Sequence, residues 1–289
     1  MTAPAAPLPP LPRTPQAPLR VVVLTCYDFA WETARALLDA PGVELVAVVQ
    51  SAPRRRKLKA RLRTLYRTEG GALGLLMALA RKAVARVVGL LRRSTRGAGE
   101  GGAPAAAGPI DGVTHVRVAD FHAPDALASL AALAPDLAIV DGTYILKEPV
   151  FALPRFGSIN LHCGKLPFYR GAPPAFWELY QGEREVGVTI HRVTAGLDAG
   201  PMLAQEVFPL DDAPPGDPVA YVRDVWLRVL RPNGVRMLAE CASWIAAGAA
   251  EPRIQPPGVG STYRSPDRQA IAELRARVAA RRAERRATA

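Results

Sequence analysis

The chain has 289 residues, 49% of them hydrophobic, and a formal net charge of +11. This length and composition predict one large globular domain with appendages, and they argue against a membrane-spanning protein because no run of residues is apolar enough to cross a bilayer. The three cysteines, Cys26, Cys163 and Cys241, are scattered without metal-ligand spacing, so the sequence supports neither a disulfide framework nor a zinc site. We therefore expect a cytoplasmic protein that holds no metal.

The first predicted elements alternate between strands and helices. Residues 1–18 are rich in proline and lack the charged start and apolar core of a signal peptide, so we expect a disordered arm there. From Leu19 onward, the hydrophobic pattern predicts a buried strand at 20–25, a helix at 30–38 and a second strand at 43–49. This alternation predicts an α/β domain with a parallel sheet flanked by helices.

A strongly basic segment interrupts the α/β pattern at residues 54–109. Residues 54–96 contain 14 Lys or Arg against one acidic residue, Glu69, and their apolar residues recur at helical spacing. This pattern predicts basic amphipathic helices, followed by a flexible Gly/Ala-rich stretch up to residue 109. The helices could pack their apolar stripe on the sheet and leave their charges in water. They could also lie on the anionic surface of the inner membrane, or bind the phosphates of RNA. The sequence leaves these alternatives open.

The strand pattern resumes at 113–118 and 136–141. A turn is expected directly after the second of these strands. Ligands of open α/β sheets bind beyond the carboxyl ends of the strands, so we expect a pocket at this turn and at a second turn that follows a strand at 186–190. The predicted pocket residues are Gly142, Thr143, Tyr144 and Ile145 in the first turn, and Thr194, Ala195, Gly196 and Leu197 in the second.

Residues 157–205 contain an Asn-x-His pair, a Pro/Gly-rich loop and a Leu-Asp-x-Gly turn. Side chains alternate faces along a strand, so Asn160 and His162 should project to the same side. An isolated histidine is more often a core residue, and an Asp before Gly is more often a turn residue. The ordered combination of Asn160, His162 and Asp198 nevertheless points to a catalytic site. Cys163 stands beside His162 and could suggest a thiol nucleophile, but such a cysteine needs an activating base in the right geometry, so we expect a small buried filler.

This pattern resembles the superfamily of enzymes that handle 10-formyltetrahydrofolate. Its members include methionyl-tRNA formyltransferases, glycinamide ribonucleotide formyltransferases, formyltetrahydrofolate deformylases and nucleotide-sugar formyltransferases. The Asn, His and Asp triad of the superfamily falls on Asn160, His162 and Asp198, at a similar spacing. The loop after the histidine departs from the usual Ser-Leu-Leu-Pro of the family at Gly164 and Lys165.

The resemblance implies a Rossmann-like formyltransferase fold over residues 19–266, with 10-formyltetrahydrofolate as the formyl donor and a primary amine as the acceptor. Asn160 would donate to the formyl oxygen, and His162 would be protonated or donate as the oxyanion develops. Asp198 would orient His162 and relay protons, while the two predicted turns would bind the folate. The residues expected on the substrate side are Leu166, Pro167, Arg170, Gly171 and His191. A purely structural role is an equal alternative for His191.

The C-terminal part of the chain predicts a strand that ends near Leu210 and a long helix at 218–246. Proline and glycine at 232–234 should interrupt this helix. An Arg-rich helical tail is expected at 267–289, and its length leaves no room for the small β-barrel domain with which methionyl-tRNA formyltransferases hold tRNA.

The acceptor amine stays open between an amino sugar on a nucleotide or lipid carrier and methionyl-tRNA. The segment TCYDFAWETARALL at residues 25–38 resembles the opening of methionyl-tRNA formyltransferases, whereas the missing barrel favours an amino sugar. The alternatives of a different class are a hydrolytic formyltetrahydrofolate deformylase and a non-catalytic module that binds folate or a membrane surface.

Overall fold

The computed structural model of the chain describes residues 8–16, 18–52, 108–171 and 173–288. In these residues, a seven-stranded, mostly parallel sheet with helices on both faces forms the body of the domain. The prediction of an α/β fold of this kind is confirmed. The predicted basic helices at 54–96 lie outside the described residues, so their contact with the sheet, a membrane surface or RNA stays a prediction.

The strands and helices are numbered here in chain order. The strands are β1 (Leu19–Thr25), β2 (Val43–Ser51), β3 (Thr114–Val118), β4 (Leu137–Val140), β5 (Ser158–His162), β6 (Tyr169–Gly171), β7 (Glu185–Arg192), β8 (Met202–Pro209) and β9 (Ser261–Tyr263). The helices are α1 (Ala30–Leu38), α2 (Pro124–Ala132), α3 (Glu148–Phe151), α4 (Phe176–Gln181), α5 (Pro218–Val225), α6 (Arg231–Ala246) and α7 (Arg268–Thr288), with a π-helical turn at Trp226–Leu230 between α5 and α6.

The main sheet has the spatial order β3, β2, β1, β4, β5, β7, β8. The strands from β3 to β5 are parallel, and β7 and β8 add antiparallel to β5. The central strands β1 and β4 consist mostly of Val, Leu, Ile and Ala because both of their faces are covered. Within β1, Val21 and Val23 face one hydrophobic cluster while Val22 and Leu24 face the other. Each fully buried side chain of this kind contributes about 1.5–3 kcal/mol through removal of apolar surface from water.

The two remaining strands, β6 and β9, form a second, two-stranded sheet. It pairs β6 with β9 in parallel, with Gly171 opposite Tyr263. The backbone of the two strands meets so closely that a Cβ atom on Gly171, whose φ is +90°, would lie 2.1 Å from the carbonyl oxygen of Tyr263. Only glycine fits this position. The pairing brings a segment from near the C-terminus against the loop that follows β5.

The long C-terminal helix is interrupted earlier than the sequence predicts. The irregular turn is the π-helical segment Trp226–Leu230, whereas Pro232 and Gly234 belong to the regular helix α6. Pro232 directly follows the π-helical turn, in which the Arg231 N–H binds the carbonyl oxygen of Trp226 five residues back, so the regular hydrogen-bond pattern is already broken where the proline lacks a donor. Gly234 lets α6 approach the sheet, since a Cβ atom there would lie 2.4 Å from Leu161 Cδ1.

A buried ion pair joins α6 to the end of β4. Arg231 is 5% exposed and its Nη1 donates to Asp141 Oδ1 at 2.6 Å, while its Nη2 donates to the carbonyl oxygen of Phe29 at 2.8 Å. Asp141 also accepts a hydrogen bond from Thr33 Oγ1 at 2.6 Å. This network fixes Asp141, which follows β4 and directly precedes the first predicted pocket turn.

Both predicted terminal appendages contact the domain where they are described. Residues 8–16 form no helix or strand, but Leu11 packs against the core and the Gln16 N–H donates to the carbonyl oxygen of Ala246. Residues 8–16 therefore lie against the domain, while residues 1–7 fall outside the described part of the predicted arm. Helix α7 buries Leu274 and Val278, so the Arg-rich tail is docked on the domain. No helix among the described residues combines the length and apolarity needed to cross a membrane.

The arginines of α7 bind acidic side chains and carbonyl oxygens of the body. Arg275 Nε donates to Asp217 at 2.9 Å, and Arg281 donates to the carbonyl oxygens of Asp212 and Leu179. Arg285 pairs with Asp211 and Asp212. Part of the positive charge of the tail is therefore satisfied within the protein and is not free for a polyanionic partner.

Candidate active site

A cavity of about 490 Å³ opens at the carboxyl ends of β4 and β5, between the two turns that the sequence predicts as a pocket. This volume lies within the range of small-molecule sites. The sequence-predicted residues that line it are Gly142, Thr143, Tyr144, Ile145, Asn160, His162, Gly171, His191, Thr194, Ala195, Gly196, Leu197 and Asp198. Residues that the sequence analysis missed also line it: Val140, Leu146, Leu161, Val193 and Tyr263.

Asn160 and His191 face each other across the antiparallel pair β5 and β7. The Nδ1 atom of His191 lies 2.9 Å from the carbonyl oxygen of Arg192, and a carbonyl can only accept, so Nδ1 carries the proton. In this tautomer the Nε2 atom of His191 accepts a hydrogen bond from Asn160 Nδ2 at 3.1 Å. An amide NH₂ group has two hydrogens, and the second one of Asn160 has no protein partner in the described part of the chain.

His162 is held by a backbone carbonyl on one side and a carboxylate on the other. It is 7% exposed, and its Nε2 atom donates to the carbonyl oxygen of Tyr169 at 2.7 Å. Its Nδ1 atom lies 3.5 Å from Asp198 Oδ2. Burial is the main cause that lowers the pKa of His162, against the opposing effect of Asp198. The ring is therefore neutral at pH 7, with its unprotonated Nδ1 directed at Asp198.

Asp198 lies between the two histidines in a left-handed backbone conformation with φ of +48°. Its Oδ2 accepts a hydrogen bond from the Gly171 N–H at 2.8 Å, and its Oδ1 lies 3.5 Å from His191 Nε2. Burial raises the pKa of Asp198, but His191, His162 and the Gly171 N–H together outweigh it and hold the pKa at about 2. The carboxylate is thus ionised throughout the neutral range.

Gly164 explains how His162 reaches the Tyr169 carbonyl. A Cβ atom at Gly164 would lie 2.5 Å from His162 Nε2 and 2.7 Å from the carbonyl oxygen of Tyr169. Real Cβ atoms do not approach this closely, so any side chain here would separate the two groups. The absence of a side chain at Gly164 therefore permits the contact between the imidazole and the Tyr169 carbonyl. At the second departure, Lys165 pairs with Glu185 at 3.1 Å.

The first pocket turn is fixed from behind by Tyr144. The Tyr144 hydroxyl donates to Asp120 Oδ1 at 2.8 Å and accepts from the Phe121 N–H at 2.7 Å. Two apolar side chains, Ile145 and Leu197, stand at the opening of the cavity with exposed fractions of 71% and 43%. Exposed apolar groups at a cavity mouth favour a partly apolar ligand.

The other predicted substrate-side residues have less access to the cavity. Leu166 is 1% exposed, and the guanidinium of Arg170 donates to Gln255 Oε1 at 2.8 Å. The carbonyl oxygen of Pro167 lies against Gly260, where a Cβ atom would be only 1.8 Å away. In the structure these residues support the loop between β5 and β6. Their contact with a substrate stays a prediction.

Cys163 directly follows β5; it packs against the hydrophobic core and is not among the residues that line the cavity. Burial raises the pKa of its thiol to about 12, so the thiolate is scarce at neutral pH. No group of three or more His, Cys, Asp or Glu side chains suited to a metal ion occurs in the described ranges.

The arrangement places a hydrogen-bond donor, a proton acceptor and a carboxylate around one point of the cavity. The free N–H of Asn160 can stabilise a developing oxyanion. The Nδ1 atom of His162 can accept a proton, because the resulting imidazolium would be held between the Tyr169 carbonyl and the Asp198 carboxylate. These groups suit the transfer of an acyl group to a nucleophile that loses a proton.

Fold and site together define an α/β enzyme-like domain with an Asn, His and Asp cluster at the carboxyl edge of its sheet. A family model described as "Formyl transferase" matches residues 68–215, just over half of the chain. The chain therefore belongs to the formyl transferase family, and the resemblance drawn from the sequence is confirmed.

Relatives and a solved structure agree with this assignment. The chain is 36% identical to the methionyl-tRNA formyltransferase of Roseiflexus castenholzii over 178 residues, which cover 59% of this chain and 54% of that protein. It is 47% identical over 91 residues to the methionyl-tRNA formyltransferase of Pseudomonas syringae pv. tomato, covering 31% of this chain and 29% of that protein. The matches thus span about half or less of these curated relatives.

The crystal structure of glycinamide ribonucleotide transformylase 1 from Symbiobacterium toebii superposes with a TM-score of 0.50 at 21% identity, covering 82% of this chain and 94% of that chain. At this identity the similarity shows the fold alone.

Proposed function

We propose that this protein is an N-formyltransferase that moves a formyl group from 10-formyltetrahydrofolate to a primary amine. The observation that carries the proposal is the convergence of Asn160, His162 and Asp198 at one wall of the cavity, on the positions that match the triad of the family. The two turns at 142–145 and 194–197 provide backbone groups and an apolar mouth for the folate donor. The donor acts as a co-substrate, and the proposal requires no metal.

The residues of the site have separate tasks in this reaction. Asn160 donates its free N–H to the formyl oxygen as the amine attacks and the new C–N bond forms. The proton of the amine reaches His162 Nδ1 through the Asp198 carboxylate, toward which Nδ1 is directed. Asp198, ionised throughout the neutral range, stabilises the imidazolium and directs the proton to the folate nitrogen as the old C–N bond breaks. The net result is a formamide and tetrahydrofolate, with one proton moved from the amine to the folate.

The acceptor is an amino sugar on a nucleotide or lipid carrier, or methionyl-tRNA. The names of the curated relatives support methionyl-tRNA. The partial coverage of those relatives leaves the amino sugar as an equal candidate. Both acceptors offer the same chemistry, a primary amine that is neutral when it attacks.

The test is formyl transfer by the purified full chain. The protein would be incubated with 10-formyltetrahydrofolate and one of three additions: methionyl-tRNA, nucleotide-linked amino sugars, or no amine. Mass spectrometry would identify the product. A formylated amine that is lost with Asp198→Asn, by about 100-fold or more, is the expected result.

Two outcomes would contradict the proposal. Free formate at the same rate with and without amines would indicate a hydrolytic deformylase. Binding of the folate without turnover in any of the three reactions would indicate the non-catalytic binding module.

A further inference from the structure

We propose that Gln255 is a positioning residue that holds the Asp198 turn in the geometry needed for proton transfer. The inference rests on the proposed function but concerns a residue outside the Asn, His and Asp cluster and outside the matched residues 68–215. Gln255 precedes β9 and approaches the site from the C-terminal segment.

The amide of Gln255 is fully occupied by protein groups. The side chain is 6% exposed, and its Nε2 atom donates to two carbonyl oxygens, those of Asp198 and Gly200, both at 2.8 Å. Its Oε1 accepts from Arg170 Nη2 at 2.8 Å and from Arg170 Nε at 3.3 Å. A side chain with both hydrogens and its oxygen in use has no polar group left for a substrate. Gln255 therefore acts through other residues.

The turn that Gln255 binds contains an unfavourable backbone conformation. Asp198 has φ of +48°, a left-handed conformation that costs a non-glycine residue about 1 kcal/mol or more. Two residues on, a Cβ atom at Gly200 would lie 1.8 Å from the carbonyl oxygen of Arg192, so the turn is tightly packed against β7. A single NH₂ group that binds the carbonyls of both Asp198 and Gly200 closes this turn.

The neighbouring residues Arg170 and Gly171 both act on Asp198, the first through Gln255 on its backbone and the second directly on its carboxylate. Gly171 donates its N–H to Asp198 Oδ2, and the neighbouring Arg170 holds Gln255, which binds the Asp198 backbone. Gln255 thus holds the backbone of Asp198, while Gly171 holds its carboxylate. Its distance to His162 Nδ1 is set by both contacts.

Gln255 is itself anchored on both sides along the chain. Two residues before it, Arg253 exchanges two backbone hydrogen bonds with Met202, at 2.7 and 2.8 Å. After it, β9 pairs with β6. The C-terminal segment therefore links β6 to the Asp198 turn through a continuous set of hydrogen bonds.

The test is the substitution Gln255→Glu in the full chain. It keeps the shape and the acceptor for Arg170, but it replaces the NH₂ group by an oxygen opposite two carbonyl oxygens. We expect kcat to fall about 10- to 100-fold while KM for 10-formyltetrahydrofolate changes less than about 3-fold. In the Asp198→Asn background the same substitution should lower the residual single-turnover rate less than about 2-fold, because the group it positions is already lost.

A matched control is Asn233→Asp. It also exchanges an amide for a carboxylate opposite a backbone carbonyl, that of Val229, but in helix α6 away from the cavity. It should leave kcat within about 2-fold of wild type. An equal loss in the control, or a full additional loss in the Asp198→Asn background, would show that Gln255 contributes only to stability and would overturn the inference.

A second readout does not depend on turnover. The amide hydrogen of Gly171 should exchange with solvent at least about tenfold faster in Gln255→Glu than in wild type, as measured by NMR, because its carboxylate acceptor is released. Unchanged exchange would overturn the inference even if the protein had no formyltransferase activity. Conversely, faster exchange in a protein without any activity would support the positioning role and reject the proposed function.

If Gln255→Glu does not fold, Arg170→Met offers a milder change. It leaves the two hydrogen bonds that Gln255 donates in place and removes only the hydrogen bonds that Gln255 accepts from Arg170. A loss in kcat of about 3- to 10-fold, absent in the Asp198→Asn background, is expected. Wild-type kcat in Arg170→Met would contradict the linkage.

Discussion

The Nε2 atom of His162 lies 2.7 Å from the carbonyl oxygen of Tyr169, and this contact fixes which ring nitrogen faces Asp198. Because the carbonyl accepts the Nε2 proton, the Nδ1 lone pair is directed at a carboxylate until the ring takes a second proton. Burial favours the neutral ring and Asp198 favours the charged one. The histidine is therefore poised to accept a proton and to release it again.

A side chain at Gly164 should disturb this contact. Gly164→Ser would place a Cβ atom within 2.5 Å of His162 Nε2, so the ring or the loop must move. We expect formyl transfer to fall about tenfold or more, together with about 1–3 kcal/mol of stability. The measurements are kcat and the free energy of unfolding. Gly108→Ser is the control, since no heavy atom lies within 4 Å of a Cβ atom there. A fully active Gly164→Ser protein would show that the Tyr169 contact is dispensable.

Asp198 should make the protein more stable above pH 4 than at pH 2. Its pKa is about 2 in the folded chain against a usual value of 3.8, so the carboxylate stabilises the fold above pH 3.8 and this contribution is lost as the pH falls through 2. Between pH 4 and pH 2 the free energy of unfolding of wild type should drop by about 2 kcal/mol more than that of Asp198→Asn. Denaturant unfolding at several pH values measures this difference. Glu251→Gln, at an exposed position, should follow wild type. Parallel curves for wild type and Asp198→Asn would contradict the depressed pKa.

The thiol of Cys163 should not take part in catalysis. Its pKa of about 12 and its position against the core leave almost no thiolate at neutral pH. Cys163→Ser should retain kcat within about 3-fold, and the thiol should react slowly with iodoacetamide at pH 8. A loss of about 100-fold in kcat at unchanged stability would instead identify a covalent role.

The buried pair of Arg231 and Asp141 should be needed for stability. Arg231→Met leaves Asp141 buried without its cation and should cost about 3–5 kcal/mol in the free energy of unfolding. Arg236 pairs with Glu206 and Glu240 at the surface, so Arg236→Met should cost less than about 1 kcal/mol. Thermal and denaturant unfolding compare the two variants. Equal costs would mean that burial of the first pair is not what sets its contribution.

The main architecture follows from the sequence because it depends on local patterns. The helix predicted at 30–38 and the alternation of strand and helix around it are formed as expected, since each buries a regular apolar face. The prediction that Asn160 and His162 share a face follows from strand geometry alone, and both line the cavity. The displaced break at Trp226–Leu230 was not predictable, because Pro232 signals an interruption without fixing on which side of it the helix distorts.

The supporting contacts of the site could not be predicted because they join distant parts of the chain through the backbone. The Tyr169 carbonyl and the Gly171 N–H have no side-chain signature. Gln255 and Tyr263 reach the site from segments more than fifty residues beyond Asp198, and no periodic pattern connects them to it. The resemblance over residues 19–266 includes both residues, but it does not identify their contacts.

Asn160 and His191 are cross-strand neighbours, so the register of β5 against β7 determines whether they meet. Inserting or deleting one residue within β5 or β7 would turn one of these side chains to the opposite face of the sheet, away from its partner. The turns on either side of the cavity can vary in length and so accept new ligands, whereas the two strands between them cannot. Substrate range can therefore diversify at the rim of the site while the amide and the imidazole keep one fixed spacing.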